Sequence, residues 1–567
     1  MNSNRKRMVV IGGVAAGTKA AARARRLAPD LDIEIFSDEP YISYAGCAEP
    51  YYIGAIIKEK KHLLARTPGY FKKNMNITVR TRCRVTRIDP ERQQVFVKNL
   101  KSGNEQEVEY DFLVIATGAR PALLPVSGSE LPEIFTIRAV DDVVRLRELI
   151  DGGSVKKAAV VGAGFIGLEM VENLHERGVE VTLIEKLPRM APTYDEDVAL
   201  QIAPVLSTKG IQVQLGATVE AFEANANGRL RAVRTDQGAV ECDVAILCVG
   251  IRPNSEIARE AGIELGVKDS IRTNEHLQTN FSNIFCGGDC AESTHRVTGK
   301  PFWQPLGDTA NLAGRVIGTN VALAAEGKDP SARFPGVLGT SIFRVFGLNL
   351  GQTGLTERTA LETGYDIEVA VVPLTDRPHY MPERGSVTVK IVAEQGSGRL
   401  LGAQVWGDGT VDKVVDTLAT ALWLGATAED LTNLDLAYAP PFSPALGNVI
   451  VAAQVLANQL SRDIHGITAA GVRELEREGR DFILLDVRNP DEIDRTPMPI
   501  PEKGINIPLP ELASRLGELD RDRLVIISCA VGVRATRAYR ILKNAGFQKI
   551  MNMYGGAKAW PYNSPAS

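Results

Sequence analysis

Nowhere does this 567-residue sequence run to the ~18 uninterrupted apolar residues that a membrane-spanning helix needs, so no span is expected. Cysteine is scarce. The seven, scattered from Cys47 to Cys529, are too few and too far apart for a disulfide scaffold, which points to a reducing compartment. Neither sign of charge dominates: 65 Lys and Arg against 69 Asp and Glu leave a net charge of -4, without the basic excess that a nucleic-acid partner requires. Cys286 and Cys290, in C-G-G-D-C, have no second cluster of Cys or His to complete a ligand set, so no metal is expected. The start, Met1 to Val14, has a basic opening and a short apolar run like a signal peptide. Gly12 and Gly13 break that run and a charged helix, Thr18 to Leu27, follows, which predicts a first β-strand and a cytoplasmic protein.

At ~150 residues per domain the chain should form about four domains. Two strand-turn-helix signatures stand near its start. Arg7 to Gly12 leads through G-G-V-A-A-G into an alanine-rich helix, with Gly12 at the tight turn, Val14 in place of the middle glycine, Ala15 after it, and Gly17 for close helix packing. The strand Ile33 to Phe36 then ends at Ser37-Asp38-Glu39, where an acid should hold a ribose, and Asp38 is the candidate. The second signature, A-A-V-V-G-A-G-F-I-G-L-E, carries Gly162, Gly164, Phe165, Ile166 and Gly167. Its next strand, Glu180 to Glu185, ends in an acid that favours a free 2′-hydroxyl over a 2′-phosphate, although Lys186 and Arg189 stand close by.

Two further strands end alike, in A-T-G-A-R-P (Thr117, Gly118) and C-V-G-I-R-P-N (Gly250), and T-N-F-S-N-I-F-C-G-G-D closes at Asp289. In the order of these motifs, over about the first 320 residues, the chain resembles the two-dinucleotide-domain flavoprotein disulfide reductases. The resemblance implies an α/β fold of two Rossmann-like domains, an FAD-binding domain at 1–150 with 255–330 and an NAD-binding domain at 151–254. It implies FAD on the first signature, with Thr117, Gly118, Asp289 and Leu306, and NADH on the second with Gly250, NADPH remaining possible. The pair of neighbouring cysteines and the C-terminal His-Pro-Thr of the glutathione-reductase type are both missing. Ser43-Tyr44-Ala45-Gly46-Cys47 instead is similar to the motif of the single-cysteine branch, which comprises coenzyme A-disulfide reductases, persulfide reductases, and NADH oxidases and peroxidases.

A lone cysteine beside a flavin must find its partner atom outside the protein's own thiols, as a mixed disulfide with a substrate or as a sulfenic acid. The oxidase and peroxidase members carry a histidine in the first glycine loop where this chain has Ala15. Lys19, Arg23 and Arg26 form one basic stripe on the first helix, either a solvated face or a site for the phosphates of coenzyme A. The resemblance favours the second, with Ser43 lining the path to Cys47. From about 331 to 457 the chain resembles the family's α+β dimerisation domain. Tyr438, in A-Y-A-P-P-F, and Tyr380, in H-Y-M-P, match tyrosines that reach the partner subunit's site in a homodimer. Phe442, Leu446 and Glu49 depart from the family pattern, and Glu49 is expected to put negative charge beside the thiolate.

Residues 466–567 begin a new α/β pattern. D-V-R-x-x-x-E (Asp486, Arg488, Glu492), N-I-P-L, C-x-x-G-x-R and G-G-x-x-A-W resemble a rhodanese module. Backbone N–H groups at a helix start, with Arg534, would lower the pKa of Cys529 and steady a persulfide. Only four residues separate Cys529 from Arg534, too few for the C-x5-R ring of a phosphatase. The expected activity is therefore NADH-dependent reduction of coenzyme A disulfide, coenzyme A persulfide or polysulfide at Cys47, with Cys529 delivering sulfane sulfur. An NADH oxidase, or a redox-sensing flavoprotein that relays sulfur, is the alternative. If Glu185 sets the nucleotide preference, kcat/KM for NADH will exceed that for NADPH. Equal values, or the reverse order, would mean that Lys186 and Arg189 override the carboxylate.

Overall fold

The computed structural model describes residues 5–461 and 464–562. The first four residues, two positions of the stretch Asn458 to His465 and the end of the last expected domain lie outside the described residues. The chain divides into two compact units, residues 1–186 with 213–337, and residues 187–212 with 338–567.

The first unit uses one design twice. In its first sheet the parallel strands Ile284–Cys286, Phe112–Ile115, Arg7–Ile11, Asp32–Phe36 and Thr78–Arg80 lie side by side in that order. Parallel strands are apolar throughout because both faces must be covered. The helices Ala16–Leu27 and Gly307–Ala325 bury Ala20, Ala24, Ala313 and Ile317 against Met8, Val10 and Ile33 on one face. On the other face Val9, Ile11 and Leu113 pack on Val85, Val95 and Val97 of a small antiparallel sheet. The second sheet sets Glu180–Glu185, Lys157–Val161, Val244–Leu247 and Ile134–Thr136 side by side, and a small antiparallel sheet again covers one face through Phe222, Val233 and Val240. The two halves are stitched where the G-A-R-P and G-I-R-P segments meet, Ala119–Pro121 pairing antiparallel with Ile251–Pro253.

In the second unit the antiparallel strands Ser341–Val345, Leu348–Gly354, Leu400–Gly407, Ser386–Glu394 and Ile367–Thr375 form a sheet in that order, and the helices Val411–Leu424 and Asn448–Leu460 pack on it. A parallel sheet follows, ordered Gly466–Ile467, Ile550–Met553, Leu524–Ser528, Phe482–Asp486 and Gly504–Asn506.

Residues 187–212, expected within the second dinucleotide-binding domain, fall in this compact unit. One lysine ties part of the segment there. Lys390 is wholly buried on the middle of its strand and holds Asp195 at 3.0 Å, Asp197 at 2.9 Å and Glu357 at 2.8 Å. Burial alone would lower its pKa, yet Asp197, Glu357 and Asp195 together push it well above the usual lysine range. Burial raises that of Asp197, against the pull of Lys390. The anchored segment is carried further, since Asp195 also accepts from the backbone N–H groups of Glu357 and Arg358. Replacing Lys390 by Met leaves Asp195, Asp197 and Glu357 without their cation, for which a cost of about 3–5 kcal/mol is expected at about pH 8. The loss should shrink toward about pH 5 as Asp197, whose pKa burial raises to about 6, takes up a proton. Urea unfolding at both values is the measurement, and an equal loss at both would show that the charges do not matter.

Candidate active sites

The two glycine loops are built alike. A Cβ on Gly17 would stand 2.1 Å from the Gly12 carbonyl oxygen, and one on Gly167 would stand 1.9 Å from that of Gly162, so only glycine lets each helix start so close to its strand. Neither helix has an acid in its first turn, and the N–H groups of such a helix start suit the pyrophosphate of a dinucleotide. In the second loop Glu185 is buried at the end of its strand and accepts from the N–H of Ala163 at 2.7 Å, while Phe165 and Ile166 open the helix behind Gly164. In the first loop the acid is arranged differently. Asp38 turns outward and pairs with Arg84 at 3.2 Å, and the buried residue beside Gly13 is Ser37. The strand ends at Phe36, as expected, and Ser37 N–H then bonds to the Arg80 carbonyl.

Thr117 and Gly118 face the second G-x-R-P segment. Thr117 donates to the Asn254 carbonyl at 2.6 Å, and Asn254 N–H bonds to that of Gly118 at 2.9 Å, one turn beyond Gly250. Asp289, half-buried, has its pKa raised by burial and lowered in part by Arg138. Sequence reading passed over Arg138, since an arginine between a short strand and a helix carries no motif. It donates to the Ala119 carbonyl at 3.2 Å and to Tyr44 Oη, and lies 3.8 Å from Glu39.

Cys47 sits in a single 3₁₀ turn, Gly46–Ala48, and is exposed. Ser43 fixes that turn. It adopts the left-handed region at φ 49°, uncommon for a residue with a side chain, and bonds its N–H to Gly13 at 2.7 Å, tying the cysteine segment to the first glycine loop. The Cys47 Sγ lies 3.8 Å from where a Cβ on Gly307 would be, at the start of the 19-residue helix that follows Leu306.

The basic stripe is partly committed to packing. Cβ atoms on Gly314 and Gly318 would stand 2.8 Å and 2.7 Å from those of Lys19 and Arg23, so the stripe's stems ride over the long helix. Arg23 donates to Thr319 Oγ1 at 3.1 Å, and its pKa is lowered by burial and then by Arg315 and Arg26. Arg315, invisible in the sequence stripe, therefore joins Arg23 and Arg26 in one cationic cluster.

Glu49 requires a correction. The residue is 1% exposed at the start of the short helix Glu49–Ile53, and neither carboxyl oxygen has a partner among the described residues. Burial pushes its pKa up to about 8, with Arg138 opposing and Glu39 and Asp142 adding to the rise. A group that keeps its proton at neutral pH puts no charge beside Cys47.

In the second unit Tyr438, Tyr380, Phe442 and Leu446 are all exposed, each by half or more. The structure brings the two tyrosines together, and hydrogen bonding with Tyr438 raises the pKa of Tyr380. Further along, Leu524–Ser528 delivers Cys529 to the loop before the helix Val533–Asn544, and Gly532 N–H donates to its Sγ at 3.1 Å. The thiol is 1% exposed, deeper than a surface cradle suggests. Arg534 grips Glu492 through two bonds of 2.6 Å, which holds the Glu492 carboxyl down at about 2. Asp486 and Arg488, read with Glu492 as one motif, form their own buried pair at 2.6 Å. Cys286 and Cys290 lie buried with their sulfurs 3.6 Å apart.

Three family models match in succession: pyridine nucleotide-disulphide oxidoreductase at residues 6–310, its dimerisation domain at 340–450, and a rhodanese-like domain at 468–562. Among curated proteins, a CoA-dependent NAD(P)H sulfur oxidoreductase of Pyrococcus furiosus is 36% identical, covering 80% of this chain and 99% of its own. Among solved structures, that of reduced Bacillus anthracis CoADR-RHD is similar at a TM-score of 0.91 and 34% identity, over 98% of each chain. An NAD-dependent persulfide reductase from A. fulgidus is similar at a TM-score of 0.88 and 40% identity, over 98% of this chain and 100% of the other.

Because the Glu49 pKa is raised on folding, its contribution to stability is whole below the ordinary carboxylate range and is lost as pH rises through about 8. Glu49→Gln, which does not titrate, should match the parent holoenzyme in acid. It should gain on it by up to about 1.4 kcal/mol per pH unit between the two pKa values. Thermal unfolding across that range tests this, and parallel curves would mean that Glu49 is charged in the fold.

Proposed function

Since the chain belongs to the pyridine nucleotide-disulphide oxidoreductase family, which uses FAD and NAD(P)H, we propose that it is an NADH-dependent reductase of coenzyme A persulfide and coenzyme A disulfide, supplied with sulfur by its own rhodanese domain. The reading takes residues 1–150 with 255–330 as FAD-binding, 151–254 as NAD-binding, 331–457 as the dimerisation domain of a homodimer, and 466–567 as the rhodanese domain. The observation that carries it is the setting of Cys47: an exposed thiol beside the start of a long helix whose body carries Arg315 and runs beneath Lys19 and Arg23. The P. furiosus CoA-dependent sulfur oxidoreductase and the A. fulgidus persulfide reductase, as relatives, support coenzyme A dependence and persulfide reduction.

FAD, when bound, carries two electrons from nicotinamide to sulfur. Gly12, Val14, Ala15 and Gly17 would hold it, with Thr117, Gly118, Asp289, Leu306 and Arg138, and Glu185 would hold the ribose of NADH beside Gly162, Gly164, Gly167 and Gly250. The Cys47 thiolate attacks the inner sulfur of coenzyme A persulfide. A bond forms between Sγ and that sulfur, the persulfide S–S bond breaks, and hydrosulfide leaves. Two electrons then cleave the mixed disulfide, restoring the Cys47 thiolate, and the departing coenzyme A thiolate takes a proton from the partner subunit's Tyr438, with the partner's Tyr380 beside it. Coenzyme A disulfide enters at the same thiolate. The cations of Lys19, Arg23, Arg26 and Arg315, with Ser43 along the path, would hold the phosphate end. Cys529 takes sulfane sulfur from a donor as a persulfide, steadied by the N–H of Gly532 and the fixed Arg534, and passes it to the coenzyme A thiol.

The two cysteines serve successive half-reactions, so their variants should fail differently. Cys47→Ser should abolish turnover with any disulfide or persulfide while NADH still reduces the bound FAD. Cys529→Ser should keep NADH-driven reduction of preformed coenzyme A persulfide and lose the NADH-independent transfer of sulfur from donor to thiol. Loss of reduction in Cys529→Ser with normal FAD content would place Cys529 in the reductase cycle, and oxygen consumption without thiol would make the protein an oxidase.

A further inference from the structure

Ile367–Thr375 is an edge strand of the antiparallel sheet, and the turn that follows the last strand of the parallel sheet packs on it. Glu368, on that edge, accepts a 2.7 Å hydrogen bond from Tyr554 Oη. Tyr554 is buried, and its ring fills the space beside Gly466, where a Cβ would come within 2.0 Å. Burial, and then the Glu368 carboxylate, push the pKa of Tyr554 far above the phenol range. The phenol is thus a fixed donor and Glu368 its acceptor.

Directly after Tyr554 the chain turns through Gly555 and Gly556, both at positive φ. A Cβ on Gly555 would stand 3.0 Å from Val371 of the edge strand, and one on Gly556 would stand 2.3 Å from the Cys529 carbonyl oxygen. The next two N–H groups complete the link: Ala557 donates to the Cys529 carbonyl at 2.8 Å and Lys558 to that of Ala530 at 3.1 Å. Holding those carbonyls outward fixes the peptide planes at the start of the loop. The fixed loop allows Gly532 N–H to point at Cys529 Sγ.

We propose that Glu368, a residue of the antiparallel sheet, is a positioning residue for sulfur transfer at Cys529, acting through Tyr554 and the turn bonded to the Cys529 and Ala530 carbonyls. The inference rests on the reading of Cys529 as the sulfur carrier. It makes the rhodanese loop dependent on a side chain outside its own fold, so that the sulfurtransferase is set by the sheet on which it docks.

The test uses full-length holoenzyme with Glu368→Ala, Tyr554→Phe, the double variant and Glu368→Gln. Sulfur transfer from thiosulfate to cyanide is measured without NADH, and Cys529 alkylation by iodoacetamide is followed by peptide mass spectrometry across roughly pH 5 to 9. Each single variant should lower kcat about three- to tenfold, the worth of one hydrogen bond, with KM for thiosulfate unmoved and the alkylation midpoint raised. The double variant should lose no more than either single one, and Glu368→Gln, which keeps an acceptor oxygen, should stay near the parent. FAD content and NADH-driven reduction of coenzyme A disulfide should not change in any of them. A parent-like kcat and alkylation profile in Glu368→Ala, or losses that add in the double variant, overturns the proposal. Should Cys529→Ser retain sulfur transfer, the carrier reading fails instead, and the alkylation profile still decides whether Glu368 sets the loop.

Discussion

A single buried ammonium organises the second half of this molecule. Lys390 has no access to water, and an unpaired cation there would be prohibitively unstable, so the fold must bring carboxylates to it. It draws them from two distant places, the segment that holds Asp195 and Asp197 and the helix start at Glu357. Glu357 in turn accepts from Thr468 Oγ1, at the head of the first helix of the parallel-sheet region, and Glu196, between the two aspartates, pairs with Arg477 of that helix. Three stretches of chain that sequence separates by more than a hundred residues therefore converge on one charge.

Most of the architecture was legible because it rests on local rules. A glycine that admits a helix start, an apolar strand buried on both faces and a cysteine between a strand and a helix each leave their mark within about a dozen residues. The strand Glu180–Glu185 and the helix Ala469–Arg477 fall where periodicity and caps place them, to within a residue. The family models for the reductase, its dimerisation domain and the rhodanese-like domain match the same order of parts.

What sequence could not carry was the state of particular side chains. Glu49 reads as a charge because glutamate ordinarily is one, and only its burial, with no hydrogen-bond partner among the described residues, reveals a proton retained. Asp38 lies two positions beyond Phe36, the last residue of its strand, and no local pattern shows that its side chain turns to Arg84. Arg138 and Arg315 matter through neighbours about a hundred and three hundred residues away, contacts that no local pattern encodes. Arg534 was expected beside the thiol, and its clamp by Glu492, 42 residues away, left no mark in the sequence.

The helix Gly307–Ala325 touches the cysteine turn at its first residue and the cationic stripe at Gly314 and Gly318. At 1.5 Å per residue, Gly314 and Gly318 lie about 10 and 16 Å along the axis from Gly307. Rigid and single-piece, it works as a ruler. A molecule that reacts at one mark and is held at the other must have its sulfur and its anionic end spaced to match. On the proposed reading, small sulfur compounds would reach the first mark alone and forgo the second, and selection among thiols would be a matter of length before it was one of chemistry.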